Sequence, residues 1–174
     1  MSLLRLATIV IIFAVSSCGG RSHVPYGKNP VNFSFQMNEE IHTLREYRGR
    51  PVMLFLVRIS ELTSELYMDE IVKAFNSSAG TTRFLVLSIA PYEMPLLAQY
   101  IKFNKLPFPI GTSDWSVASG QSELGIIPVV PSTYALDSDG RVVTIFAGVT
   151  SKNEIEKVVE RLRPSQNATL TFTR

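Results

Sequence analysis

The stretch Pro131-Ser132-Thr133-Tyr134-Ala135-Leu136-Asp137-Ser138-Asp139-Gly140-Arg141-Val142-Val143 reads as two strands around one turn. Ser132 to Leu136 is rich in β-branched, aromatic and aliphatic residues, and Val142 to Phe146 repeats that composition. Between them, Asp137-Ser138-Asp139-Gly140 offers side chains that bond their own backbone and a glycine free to take positive φ, which is hairpin chemistry. Downstream, Ser151-Lys152-Asn153-Glu154 forms a capping box. Its serine accepts from the third helical amide while the glutamate reaches back. Ile155, Val158, Val159 and Leu162 then stripe one helix face.

Upstream, Val52 to Val57 is a continuous apolar run behind the turn Arg48-Gly49-Arg50-Pro51, which predicts a strand buried on both faces. Met68, Ile71, Val72 and Phe75 follow at helical spacing, and Asn76-Ser77-Ser78-Ala79-Gly80 stops that helix. Phe84 to Ile89 predicts a second buried strand. Pro95 can open a helix over Leu96 to Phe103, which Leu106-Pro107-Phe108-Pro109 breaks. Val31 to Gln36 alternates, with Val31, Phe33 and Phe35 on one side, as a strand does. Asp114 to Gly125 reads as a loop with a brief helix. The order is strand, strand, helix, strand, helix, strand, strand, helix. It predicts an α/β sandwich, a central mixed β-sheet flanked by helices on both faces, with right-handed crossovers between the parallel strands.

The N-terminus predicts an address. Arg5 precedes Leu6 to Val15, an apolar run shorter than the roughly 20 residues of a membrane-spanning helix, so residues 1–17 read as a signal peptide. Val15-Ser16-Ser17-Cys18 resembles the bacterial lipobox. That resemblance implies that Cys18 becomes the first mature residue, acylated on sulfur and anchored in the lipid bilayer. An ordinary secretory peptide cut nearby is the second reading, and an uncleaved anchor the third. Residues 18–30 then form the lipidated N-terminus and tether, rich in breakers. Gly19 stands where many Gram-negative lipoproteins carry an inner-membrane retention aspartate. The periplasmic face of the outer membrane is therefore favoured over the inner membrane or the cell surface. Residues 31–163 make one domain, and 164–174 a polar tail with strand character at Thr169 to Thr173.

Composition narrows the function classes. With Arg5 removed, 16 of the 17 basic residues remain against 15 acids. No basic stripe stands out, so nucleic acid is not an expected partner. Cys18 is the only cysteine, so the exported domain holds together by packing rather than by disulfides. No metal-ligand spacing appears, and no cofactor is expected. Met37, Met53, Met68 and Met94 read as core filler, and Trp115 as a packing anchor. Lys152, Lys157, Arg161 and Arg163 read as the solvated face of the last helix. The glycosylation-like triplets at Asn32, Asn76 and Asn167 carry little meaning in a bacterial protein.

Two segments together resemble the thioredoxin-fold family, in its membrane-tethered TlpA and ResA type related to AhpC/TSA proteins. Ile41-His42-Thr43-Leu44-Arg45-Glu46-Tyr47-Arg48-Gly49-Arg50-Pro51-Val52-Met53-Leu54-Phe55 is similar to that family's entry into its first core strand. The Pro131–Val143 stretch is similar to its "P-t-t-f-l-I-D-x-d-G-r-i-v" segment. The resemblance covers residues from about Val31 to Leu162. It implies that Pro131, preceded by Val130, is the family's cis-proline, beside a groove that offers backbone to an extended substrate. The plainer reading has Pro131 simply starting an edge strand. The stretch from Gly125 to Pro131 is one residue longer than the family's and adds Pro128.

The resemblance fails at the redox site. The family carries Cys-x-x-Cys at the start of the helix after the first core strand, one thiolate attacking and the other resolving a mixed disulfide. Here the matching stretch is Arg58-Ile59-Ser60-Glu61-Leu62-Thr63-Ser64-Glu65. Either Glu61 and Ser64 or Ser60 and Thr63 stand in for the cysteines, and neither pair can form a disulfide. As nucleophiles the hydroxyls would need a base, and nothing places His23 or His42 there. Ser60 or Thr63 as helix N-cap, with acids in the first turn, is the plainer reading. Three roles follow. The first is a non-catalytic module that binds an envelope protein or extended peptide. The second is a diverged oxidoreductase that borrows a partner's thiol. The third is a structural subunit of a larger assembly.

Overall fold

All six residues of Val52–Val57 are buried, as an apolar run without alternation requires. The computed structural model describes residues 29–163 except 79 and 81. The predicted signal peptide, Cys18, most of the tether and the C-terminal tail lie outside the described residues. Seven strands form one sheet: β1 Ser34–Met37, β2 Glu40–Thr43, β3 Val52–Val57, β4 Arg83–Ser88, β5 Ile110–Ser113, β6 Ser132–Leu136 and β7 Val142–Ala147. Four α-helices accompany them: α1 Leu62–Ser77, α2 Met94–Asn104, α3 Trp115–Ala118 and α4 Lys152–Leu162. The sheet order is β2-β1-β5-β4-β3-β6-β7. The β3–β4 and β4–β5 pairs are parallel and the others antiparallel.

Side-chain alternation along β3 splits the core in two. Met53, Phe55 and Val57 join Tyr67, Met68, Ile71 and Ala74 of α1, Leu97 of α2, and Ile155, Val158 and Val159 of α4. Leu54 and Leu56 face the opposite side, with Phe33, Phe35, Leu44, Val117 of α3 and Leu124. Three helices thus cover one face, and the short α3 with a 3-10 turn at Leu44–Tyr47 covers the other. The helix openings follow the sequence chemistry. Ser151 Oγ accepts from Glu154 N at 3.4 Å, and the Glu154 carboxylate accepts from Ser151 N at 3.3 Å. Gly140 closes the Asp137–Gly140 turn at φ 85°.

Two strands are additions to the sequence reading. β5 is Ile110-Gly111-Thr112-Ser113, too short and polar to signal a strand, yet all four residues are buried. A Cβ on Gly111 would stand 2.6 Å from Gln36 O, so the close approach of β1 explains the glycine. β2 escapes notice because Ile41, its one aliphatic residue, is exposed and gives no alternation. The first strand begins at Ser34 rather than Val31, although Val31 N still donates to Gly140 O at 2.9 Å. The second helix starts two residues early, at Met94. Trp115 is exposed rather than a packing anchor, and Met94 is exposed while Met37, Met53 and Met68 are buried.

The register brings the chemistry-bearing loops together. Val57 lies opposite Ser88, and Leu56 opposite Ser132. The loops that follow β3 and β4, and the one that precedes β6, therefore leave from the same end of the sheet.

Candidate functional site

At that end, Arg58 to Glu61 link β3 to α1. The N-cap is Glu61, in extended conformation, and not Ser60 or Thr63. Its carbonyl accepts from Ser64 N at 3.0 Å and Glu65 N at 3.1 Å, while its carboxylate pairs with Arg58 Nη1 at 3.0 Å. Glu61 and Ser64 thus bracket the first helical turn. Ser64 is buried, and its Oγ accepts from Arg58 N at 3.1 Å. Thr63 is exposed.

Ser60 fails as a cap because its hydroxyl is needed elsewhere. Glu93, fully buried in a 3-10 turn at Pro91–Glu93, receives four donors. Ile59 N and Ser88 Oγ reach Oε2 at 2.9 and 2.5 Å; Ser60 N and Ser60 Oγ reach Oε1 at 3.1 and 2.5 Å. An unpaired buried carboxylate costs far more than an uncapped helix end, so the serine follows the carboxylate. Burial pushes the Glu93 pKa up, but the hydrogen bonds from Ser60, Ser88 and Ile59 outweigh it, and the group sits below its usual range. The Ser60 hydroxyl donates to that carboxylate. His42 lies in edge strand β2, four strands from β3, beside Glu46. His23 lies outside the described residues. The corner is a loop stapled to the Glu93 carboxylate. Among the described residues, no group of three His, Cys, Asp or Glu could hold a metal ion.

Sequence reasoning missed Glu93. Its signal was an acid between Pro91 and Pro95, directly after a buried strand.

The Val130–Pro131 peptide bond is cis, and Pro131 is buried while Val130 is half-buried against the core. The Pro131 carbonyl accepts from Gly148 N at 2.8 Å. Two residues on, Thr133 Oγ1 hydrogen-bonds the Tyr67 hydroxyl of α1. Burial, partly opposed by the hydrogen bonds from Thr133 and Thr150, pushes the Tyr67 pKa up to about 12. α1 is thereby pinned to β6 just behind the corner. A cleft of about 660 Å³ opens beside it, lined by Ile59 and Ser60 and by Leu96, Tyr100 and Phe103 of α2.

This fold is shared with solved structures. The fold is thioredoxin-like. StoA from Bacillus subtilis superposes with TM-score 0.62 at 16% identity, over 75% of this chain and 97% of that one. A DsbF homologue from Corynebacterium diphtheriae gives 0.66 at 19% identity, over 84% and 96%. A secreted thiol-disulfide isomerase from Corynebacterium glutamicum gives 0.64 at 16% identity, over 77% and 83%. No family model and no curated protein matches the sequence. At such identities the likeness is one of fold. In this chain the loop from Arg58 to Glu61 is stapled to Glu93.

Proposed function

We propose that this chain is a non-catalytic, thioredoxin-like binding module of the cell envelope, held to a bilayer through acylated Cys18. The observation that carries this reading is the stapled corner. Dithiol exchange needs two sulfurs at the start of α1, and the chain has one cysteine in all, at position 18. Buried Glu93 meanwhile binds the loop amides of Ile59 and Ser60. What the scaffold still offers is surface. Val129 and Val130 make no backbone hydrogen bond among the described residues and can accept an extended segment. The secreted isomerase among the structural neighbours supports an envelope address.

Purification of the full chain from its own membrane fraction tests this reading. It should recover a specific protein partner, lost on Val130→Pro, and Cys18→Ser should move the chain to the soluble fraction. Recovery of no partner counts against binding, and an unchanged membrane fraction counts against the anchor.

The second reading, a diverged oxidoreductase acting with a partner thiol, is favoured by the names of the structural neighbours, which include thiol-disulfide isomerase and interchange proteins. A disulfide-reductase assay separates the two.

A further inference from the structure

The sheet has a second end, away from the corner, and arginines far apart in the sequence meet there. Val52 opens β3 opposite Arg83, the first residue of β4. It also lies opposite Leu136, the last residue of β6, which pairs with Val142 at the start of β7. Arg48 and Arg50 lie in the turn that leads into β3, and Arg141 stands directly before β7. Backbone bonds tie these pieces together: Gly49 N donates to Ser138 O at 2.8 Å, and Arg83 N to Pro51 O at 2.9 Å. Arg48 and Arg141 line one cleft of about 440 Å³ with Pro30 and Asp139. The Arg83 guanidinium stands over the Tyr47 ring, 5.3 Å from its centre. Arg50 and Arg83 are exposed, and among the described residues Arg48, Arg50 and Arg83 make no ion pair. The acids of these loops are Asp137 and Asp139, both paired with Arg141. Glu46, in the turn before them, is offset in charge by its neighbour Arg45. Four arginines against two aspartates leave a net charge of +2. Val31 N donates to Gly140 O at 2.9 Å, so the chain from Cys18 enters the domain at this same end. Residues 19–29 add Arg21 and Lys28 and no acid.

We propose that this basic end rests on the anionic surface of the bilayer that holds Cys18. The proposal rests on the anchor reading and names the face of the domain that meets the lipid. Two observations select the occupant: the charge of this end, and the entry of the chain from Cys18 there. An anionic surface attracts basic groups only within about a Debye length, roughly 8 Å at physiological salt. Fully extended, the span from Cys18 to Pro30 covers about 40 Å, so it lets the domain reach that layer without forcing it there. The arginines therefore decide the orientation. Lipid phosphates suit guanidinium groups, which bind them through paired donors. Val57 and Ser88, at the far ends of β3 and β4, then stand about 20 Å further from the surface, the rise of a six-residue strand. The corner from Arg58 to Glu61 and the Val130–Pro131 bond face away from the lipid, where a partner protein can reach them.

The test uses the full chain, purified from membranes and reconstituted with vesicles of phosphatidylcholine alone or mixed with phosphatidylglycerol. Flotation with the neutral vesicles reports the anchor, and quenching of tryptophan by headgroup-spin-labelled lipid reports the face. Trp115, the only tryptophan, is exposed two residues past β5, at the corner's end of the sheet. The variant Trp115→Phe/Ser138→Trp moves the reporter to an exposed position of the basic end. In anionic vesicles, position 138 should be quenched several-fold more than position 115. The contrast should fall as added salt shortens the Debye length. Arg50→Glu/Arg83→Glu, at two exposed positions, turns the net charge of these loops from +2 to −2. It should abolish the contrast and leave the helical signal unchanged. Equal quenching at both positions in anionic vesicles, or a contrast indifferent to the charge reversal, overturns the proposal. A chain that floats with both vesicles but shows no contrast keeps the anchor and rejects the face. Flotation with anionic vesicles alone, lost on the charge reversal, rejects the anchor and keeps the face. Flotation with neither overturns both. Binding of an oligonucleotide in preference to anionic vesicles assigns the arginines to nucleic acid and rejects the bilayer.

Discussion

The backbone amide of Ile59 donates to the Glu93 carboxylate at 2.9 Å, across 34 residues of sequence. With Ser60 and Ser88 the same group collects four donors, so it ties the β3–α1 loop to the turn before α2. Glu93→Ala leaves those donors buried without an acceptor. It should cost about 2–4 kcal/mol of stability in urea unfolding. Ser60→Ala, which removes one donor and keeps the carboxylate satisfied by three, should cost about 1 kcal/mol. Equal costs would mean that the staple is not centred on Glu93.

Glu93 also makes a pH signature. Its pKa is lower folded than unfolded, so the unfolded state binds more protons between the two values. Its contribution is fully present above the ordinary carboxylate pKa, near 4.5, and is lost as pH falls through the lower folded value. Glu46, Glu70 and Glu156 shift the same way, so only the difference between proteins isolates Glu93. The stability gap between the parent and Glu93→Gln should hold constant from neutral pH to about 5 and shrink below it. A gap that widens on acidification contradicts the assignment.

Tyr67 and Thr133 make a buried hydroxyl pair between α1 and β6. Tyr67→Phe keeps the ring's packing against Phe55 and strands the threonine hydroxyl, at a cost of about 1–2 kcal/mol. Tyr67→Phe with Thr133→Val removes both partners and should recover part of that loss. A double-mutant cycle with no coupling would show that the pair contributes nothing of its own.

Lys105 ends α2 in the left-handed region, φ 50°, where its amide donates to Ile101 O and Lys102 O. A Cβ is disfavoured there. Lys105→Gly should stabilise the fold by about 0.5–1 kcal/mol, seen as a raised urea midpoint with an unchanged slope. A lowered midpoint would show that the lysine side chain contributes more than its backbone costs.

Sequence pattern carried the strands and helices with strong local signals, although of those strands only β3 and β6 are buried throughout. β3, β4, β6 and β7 announce themselves through apolar runs, and α4 through its capping box. β5 does not, because Gly111, Thr112 and Ser113 are placed by close packing between β1 and β4, a tertiary cause with no local trace. The site was legible only in outline. Resemblance to a family pointed to the stretch Arg58 to Ser64 and to the bond before Pro131, which is cis. Glu93 was hidden, because an acid in a proline-bounded turn looks like surface until two loops close over it. For the same reason Ser60 looked like a helix cap. The exposed Trp115 shows the converse, an aromatic residue whose burial no neighbouring pattern dictated.

Reduction of insulin by dithiothreitol tests directly whether this chain performs dithiol chemistry. The full chain, and its Cys18→Ser variant, should leave the rate at the level of the reagent alone. Catalytic acceleration by either protein, at sub-stoichiometric concentration, would contradict the reading of a binding module and restore the oxidoreductase.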